Sequence, residues 1–145
     1  MNAKGLYATH GLIMAVALLI LLPIGIYYAI AKPQGWYSKH KAIQMTVLAL
    51  VAVAVGISLY TRAYVDQQKS KEGLWHGMIG ITLLVLLILQ IAWGIIGNPN
   101  VTRQTYLTVH RSLAVLIVGL VLIQVYLGYK VWSRLAEQNN KEKRA

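Results

Sequence analysis

Four long apolar runs, each opened by a histidine, constrain this chain more than any other feature. "YATHGLIMAVALL" places His10 at the mouth of a run over 11–31, and "YSKHKAIQMTVLAL" places His40 before a run over 42–60. "GLWHGMIGITLLVLLILQ" places His76 before a third run, and "LTVHRSLAVLIVGL" places His110 before a run over 112–129. The sequence contains no other histidine. At about 1.5 Å rise per residue, roughly 18 to 21 apolar residues span a hydrocarbon core of about 30 Å. Four crossings are predicted, with helices over 8–31, 39–64, 74–97 and 107–134 and a charged tail over 135–145 that frays or extends the last helix.

Composition closes off the soluble alternative. The chain is 57% hydrophobic and 12% charged over 145 residues, with mean hydropathy +0.56, and a soluble domain of that size cannot bury so much apolar surface. The first run is too long for a cleavable signal and lacks an A-x-A-like site, so it reads as a retained helix kinked by Pro23 and Gly25. The connectors "KPQGWYSK", "TRAYVDQQKSKEG" and "NPNVTRQTY" are short and polar. Neighbouring helices therefore run antiparallel, and the fold class is all-α: an integral membrane four-helix bundle, up-down-up-down, as a single domain. Aromatic belts mark both faces, with Tyr7, Tyr60, Tyr64, Trp75, Tyr129 and Trp132 on one and Tyr27, Tyr28, Trp36, Tyr37 and Tyr106 on the other.

The net charge of +10 does not point to nucleic acid, because the basic residues flank the spans with no soluble domain to present them. Anionic lipid headgroups are the plainer partner. With no cysteine, disulfides, iron–sulfur clusters and thiolate ligands are excluded. Phenylalanine is also absent, which leaves a designed or recoded sequence as one reading. A bacterial or archaeal inner membrane is the expected location, and the protein is expected to be a monomer or homodimer.

Alternating helices put His10 and His76 at one membrane face, side A, and His40 and His110 at the other, side B. In such a bundle the first and third helices are diagonal, as are the second and fourth, so each pair faces itself across the axis. The halves also echo one another, "HGLIM" with "HGMIG" and "HKAIQ" with "HRSLA". A planar macrocycle with one axial nitrogen on each face, haem, fits between two such imidazoles. Two pairs imply two haem sites, with His10/His76 and His40/His110 as iron ligands. No covalent attachment is expected without cysteine, hence haem b.

Gly11, Gly77 and Gly80, with Gly56 and Gly119, leave room for a flat ring, although small residues equally pack membrane helices with no cofactor. Gln90 and Gln124 each follow a histidine by 14 residues, which returns to nearly the same helix face about 21 Å along the axis. Each is expected beside the opposite haem as a hydrogen-bond partner, or else as an interhelical hydrogen bond. Lys39, Lys41 and Arg111 flank the side B pair, and Lys4 and Lys69 the side A pair; Lys41 and Arg111 above all are candidates for haem propionates or an anionic donor. Most of these cations also serve as positive-inside and snorkelling residues. Side A carries nine Lys/Arg against five on side B, which by itself puts side A inside.

"THGLIMAVALLILLPIGIYYA", "WYSKHKAIQMTVLALVAVAVGISL", "LWHGMIGITLLVLLILQIAWGIIG" and "VHRSLAVLIVGLVLIQVYLGY" resemble the four core helices of the cytochrome b561 family, most closely the type associated with DOMON domains. The resemblance implies that the first and third, and the second and fourth, histidines ligate two b haems. It implies single-electron transfer across a membrane from a donor such as ascorbate or a quinol to an acceptor such as ferric iron or monodehydroascorbate. It also implies that the first histidine lies on the non-cytoplasmic side, opposite to the charge count. The flanking helices of the six-helix form and a DOMON domain are missing, which leaves donor and acceptor, small molecule or protein, open.

Bis-histidine ligation leaves iron no open site, so the chain is read as a transmembrane oxidoreductase or a pure electron carrier. A histidine-lined metal-ion carrier is the alternative, weakened because no Asp or Glu lies within any span. A cofactor-free membrane scaffold is the third reading.

Overall fold

Each apolar run forms one helix, but the helix ends are set by caps that lie outside it. The structure, a computed structural model, describes residues 3–65, 70–96, 101–142 and 144, with side chains in the last helix described as far as Glu137. Helix α1 covers Ala3–Ala31, α2 Trp36–Val65 and α3 Lys71–Ile96, and α4 covers Arg103–Glu142. All four are long and apolar enough to cross a membrane.

The helices start three to five residues before the predicted positions, because hydropathy marks the hydrocarbon segment and not the cap. Ser70 Oγ accepts the Gly73 N–H at 3.0 Å at the start of α3, and Thr102 Oγ1 accepts the Thr105 N–H at 3.2 Å at the start of α4. Between α1 and α2, Lys32 (φ 49°) and Gly35 (φ 70°) take left-handed conformations around Pro33. The Lys32 N–H donates to the Tyr28 carbonyl at 3.1 Å and the Trp36 N–H to the Pro33 carbonyl at 2.9 Å, which reverses the chain in a few residues. Beyond 134 the sequence offers no Gly or Pro stop, and α4 continues to Glu142. The predicted end of α3 at 97 and the flanking Lys69 lie outside the described residues.

The irregularity in α1 is a π-helical turn over Val16–Leu21, directly before Pro23. Pro23 has no N–H for the Leu19 carbonyl, and its ring crowds that turn; widening by one residue absorbs both. A second π-helical turn, Thr61–Val65, ends α2.

One stripe per helix faces the axis. In α3 it runs His76, Gly80, Leu83, Leu87, Gln90, Gly94, and in α4 it runs His110, Ala114, Ile117, Val121, Gln124, Gly128. In α2 it runs His40, Gln44, Val47, Val51, Ala54, Ser58. Steps alternating between four and three residues keep one seam inward, as in left-handed bundles. Val47, Val51, Ala54, Leu83, Leu87, Ile117 and Val121 form the dry centre, with histidines at one end of every stripe. In α1 the buried residues Met14, Ala17, Leu18, Leu22 and Gly25 follow the same stripe once the extra π residue is counted. Neighbours are α1 with α2, α2 with α3 and α3 with α4.

Candidate functional site

The fold brings the four histidines together as two pairs. The rings of His10 and His76 lie 6.1 Å apart at 77°, and those of His40 and His110 lie 6.3 Å apart at 70°. An imidazole nitrogen binds a first-row metal ion at about 2.0 Å and the ring centre lies about 1.1 Å behind it, so two trans imidazoles on one ion place their centres about 6.2 Å apart. Both pairs meet that spacing. No cluster of three or more His, Cys, Asp or Glu forms among the described residues.

Within each pair one histidine is oriented by a backbone carbonyl. His10 Nδ1 lies 2.8 Å from the Ala54 carbonyl, and His40 Nδ1 lies 2.8 Å from the Gly25 carbonyl. A carbonyl only accepts, so each Nδ1 carries the proton and each Nε2 is left bare, the tautomer a metal ligand needs. Ala54 follows His40 by 14 residues and Gly25 follows His10 by 15. The π turn takes up the difference, so both carbonyls arrive in register at the opposite site.

The other histidine of each pair is held through its main chain. Gln124 Nε2 donates to the His76 carbonyl at 2.9 Å and lies 3.3 Å from His76 Nε2. Gln90 Nε2 donates to the His110 carbonyl at 2.9 Å. Gln90 and Gln124 are buried, each at the site opposite its own helix's histidine. Glycines then admit the rings: an added Cβ on Gly128 would stand 3.0 Å from His76 Cε1, and one on Gly94 would stand 3.2 Å from His110 Cε1. Both glycines follow a histidine by 18 residues, five helical turns, and that spacing was the signal that marks them.

Around the side A pair lie two cavities, both lined by His10, His76, Gly77 and Arg62. One, of about 530 Å³, opens between α1 and α4 and is also lined by Gly11; the other, of about 400 Å³, lies between α2 and α3 and is also lined by Gly80. Nothing stands within 4 Å of a Cβ built on Gly11, Gly56 or Gly119, and only Gly11 of these three is among the cavity walls. Arg62, in the π turn of α2, reaches over Gly77, where an added Cβ would meet its Nη1 at 2.6 Å. Sequence reasoning read it only as a flanking charge. Lys41 and Arg111 are exposed beside the side B pair, and neither side chain hydrogen-bonds to a described residue. Lys4 Nζ sits 5.9 Å from the Trp132 ring centre and Lys39 Nζ 5.4 Å from that of Tyr28, as expected of snorkelling cations. Glu72 and Arg134 form an ion pair that ties α3 to α4 at the side A end.

The spacing of the pairs, the bare Nε2 atoms of His10 and His40 and the open space flanking the side A pair all fit haem. A sequence profile described as eukaryotic cytochrome b561 matches residues 9–134. No curated protein and no solved structure gives a match. The match supports an integral membrane protein of a haem b electron-transfer family, and its eukaryotic description lends nothing to a bacterial or archaeal location. Covering all four histidines and nearly the whole of the four spans, it shows that this chain belongs to the cytochrome b561 family.

Proposed function

We propose that the chain passes single electrons across the bilayer through two haem b groups, one held by His10 and His76 near side A and one by His40 and His110 near side B. The observation that carries this reading is the spacing of the two ring pairs, 6.1 and 6.3 Å, each built from diagonal helices. Held by these histidines, haem b would supply outer-sphere, one-electron chemistry. The protein's residues set the conditions for it. Ala54 and Gly25 fix the tautomer of His10 and His40, Gln124 and Gln90 hold the backbone behind His76 and His110, and Gly128 and Gly94 admit the rings. Arg62 brings positive charge to side A, while Lys41 and Arg111 supply it at side B for propionates or an anionic donor. A donor such as ascorbate or a quinol and an acceptor such as ferric iron or monodehydroascorbate suit sites at opposite faces. Pyridine haemochrome assay against protein concentration tests the reading: two haems b per chain are expected, and one or fewer overturns the two-site arrangement.

A further inference from the structure

The correspondence between α3 and α4 breaks four residues before each histidine, where Glu72 precedes His76 and Tyr106 precedes His110. Glu72 turns to Arg134. Tyr106 instead lies parallel to the His110 ring, with centres 6.1 Å apart and planes at 11°. Trp93 lies parallel to Tyr106 in turn, at 6.1 Å and 15°.

Two hydrogen bonds fix this stack. Tyr106 Oη donates to the Gly94 carbonyl at 3.1 Å, and Trp93 Nε1 donates to the Tyr106 carbonyl at 3.3 Å. Gly94 is also the residue whose missing Cβ leaves room for the edge of His110. His110 Nδ1, by contrast, is buried with no hydrogen-bond partner, so among the described residues no carbonyl at that nitrogen fixes the ring as Ala54 and Gly25 fix those of His10 and His40. The imidazole torsion is intrinsically broad, and a parallel aromatic plate is what remains to restrict it.

We propose that Tyr106, backed by Trp93, is a positioning residue that sets the plane of the His110 imidazole and with it the 70° angle between the two side B ligands. The proposal rests on His110 being an axial ligand. Near-perpendicular ligand planes leave the two iron d orbitals of π symmetry close in energy, which gives a strongly anisotropic low-spin ferric signal at low field. Turning the planes toward parallel splits them and moves the signal toward an ordinary rhombic pattern.

Electron paramagnetic resonance on the purified dihaem protein tests this. His110→Ala identifies the side B signal by its loss. Tyr106→Leu should then move that signal toward the rhombic pattern, Tyr106→Phe, which keeps the ring and the Trp93 bond but loses the bond to Gly94, should move it far less, and the side A signal should stay put in both. Selective loss of the side B haem in Tyr106→Leu alone, with Tyr106→Phe intact, is the stronger form of the same result. An unmoved side B signal in Tyr106→Leu, or equal shifts in the Phe and Leu variants, overturns the stacking role while leaving ligation by His110 in place. Retention of both haems in His110→Ala overturns the ligation itself, and the proposal with it.

Discussion

Gly128 of α4 lies against the imidazole of His76 on α3, so close that an added Cβ would stand 3.0 Å from Cε1. A side chain there must push the ring or the helix, and overpacking of that kind costs about 1–3 kcal/mol, roughly five- to 150-fold in retention of the side A cofactor. Gly128→Val is expected to lose that haem selectively when haem content is followed by difference spectroscopy. Gly119→Ala, with nothing within 4 Å of the new atom, should leave both in place. Equal loss from both sites in Gly128→Val would indicate a folding defect instead of a local one.

Pairing makes a second expectation. His10→Ala and His76→Ala should delete the same component of a redox titration, and His40→Ala and His110→Ala the other. Variants of His10 and His40 losing one common component would contradict the diagonal arrangement.

The histidine pairs were legible in the sequence because alternation of direction and one histidine per span leave a single way to match them. Gln90 and Gln124 were legible through helical periodicity, but Gly94 and Gly128, one turn farther along the same stripe, were passed over in favour of glycines adjacent to the histidines. Tyr106 was read as part of an interfacial belt, since nothing local distinguishes a ring that faces lipid from one that stacks inward four residues before a histidine. Arg62 was counted among flanking charges for the same reason: a long side chain reaches a cavity that only the packing of α2 against α3 creates. The helix ends moved because caps such as Ser70 and Thr102 lie beyond the apolar windows. The π turn has no compositional mark apart from Pro23, which was expected to bend the helix and not to lengthen its turn.

Arg62 lines both side A cavities, and a fixed positive charge there favours the reduced, less positive state of the site. Arg62→Leu is therefore expected to lower the side A midpoint potential by roughly 60 mV, about a factor of ten for a one-electron couple, and Arg62→Lys to restore most of it. A potentiometric titration showing the side B component moving as much would place the charge elsewhere.

The proposed sites lie about 21 Å apart along the helices, and vectorial transfer is the outcome expected of them. In proteoliposomes loaded with ferricyanide, a membrane-impermeant reductant added outside should reduce the trapped acceptor. The rate should collapse in His76→Ala and in His110→Ala. Unchanged transfer in a variant shown spectroscopically to lack one haem would exclude the two-site wire.

The π turn at Val16–Leu21 makes α1 a jointed lever with a different task at each end. Its outer arm carries His10, and its inner arm carries the carbonyl that steers His40. The π turn between them sets the rotational phase of one arm against the other, so that the Gly25 carbonyl, 15 residues after His10, reaches His40. Removing one of the six turn residues would restore the 14-residue spacing found between His40 and Ala54, but would leave the Pro23 ring crowding a regular turn.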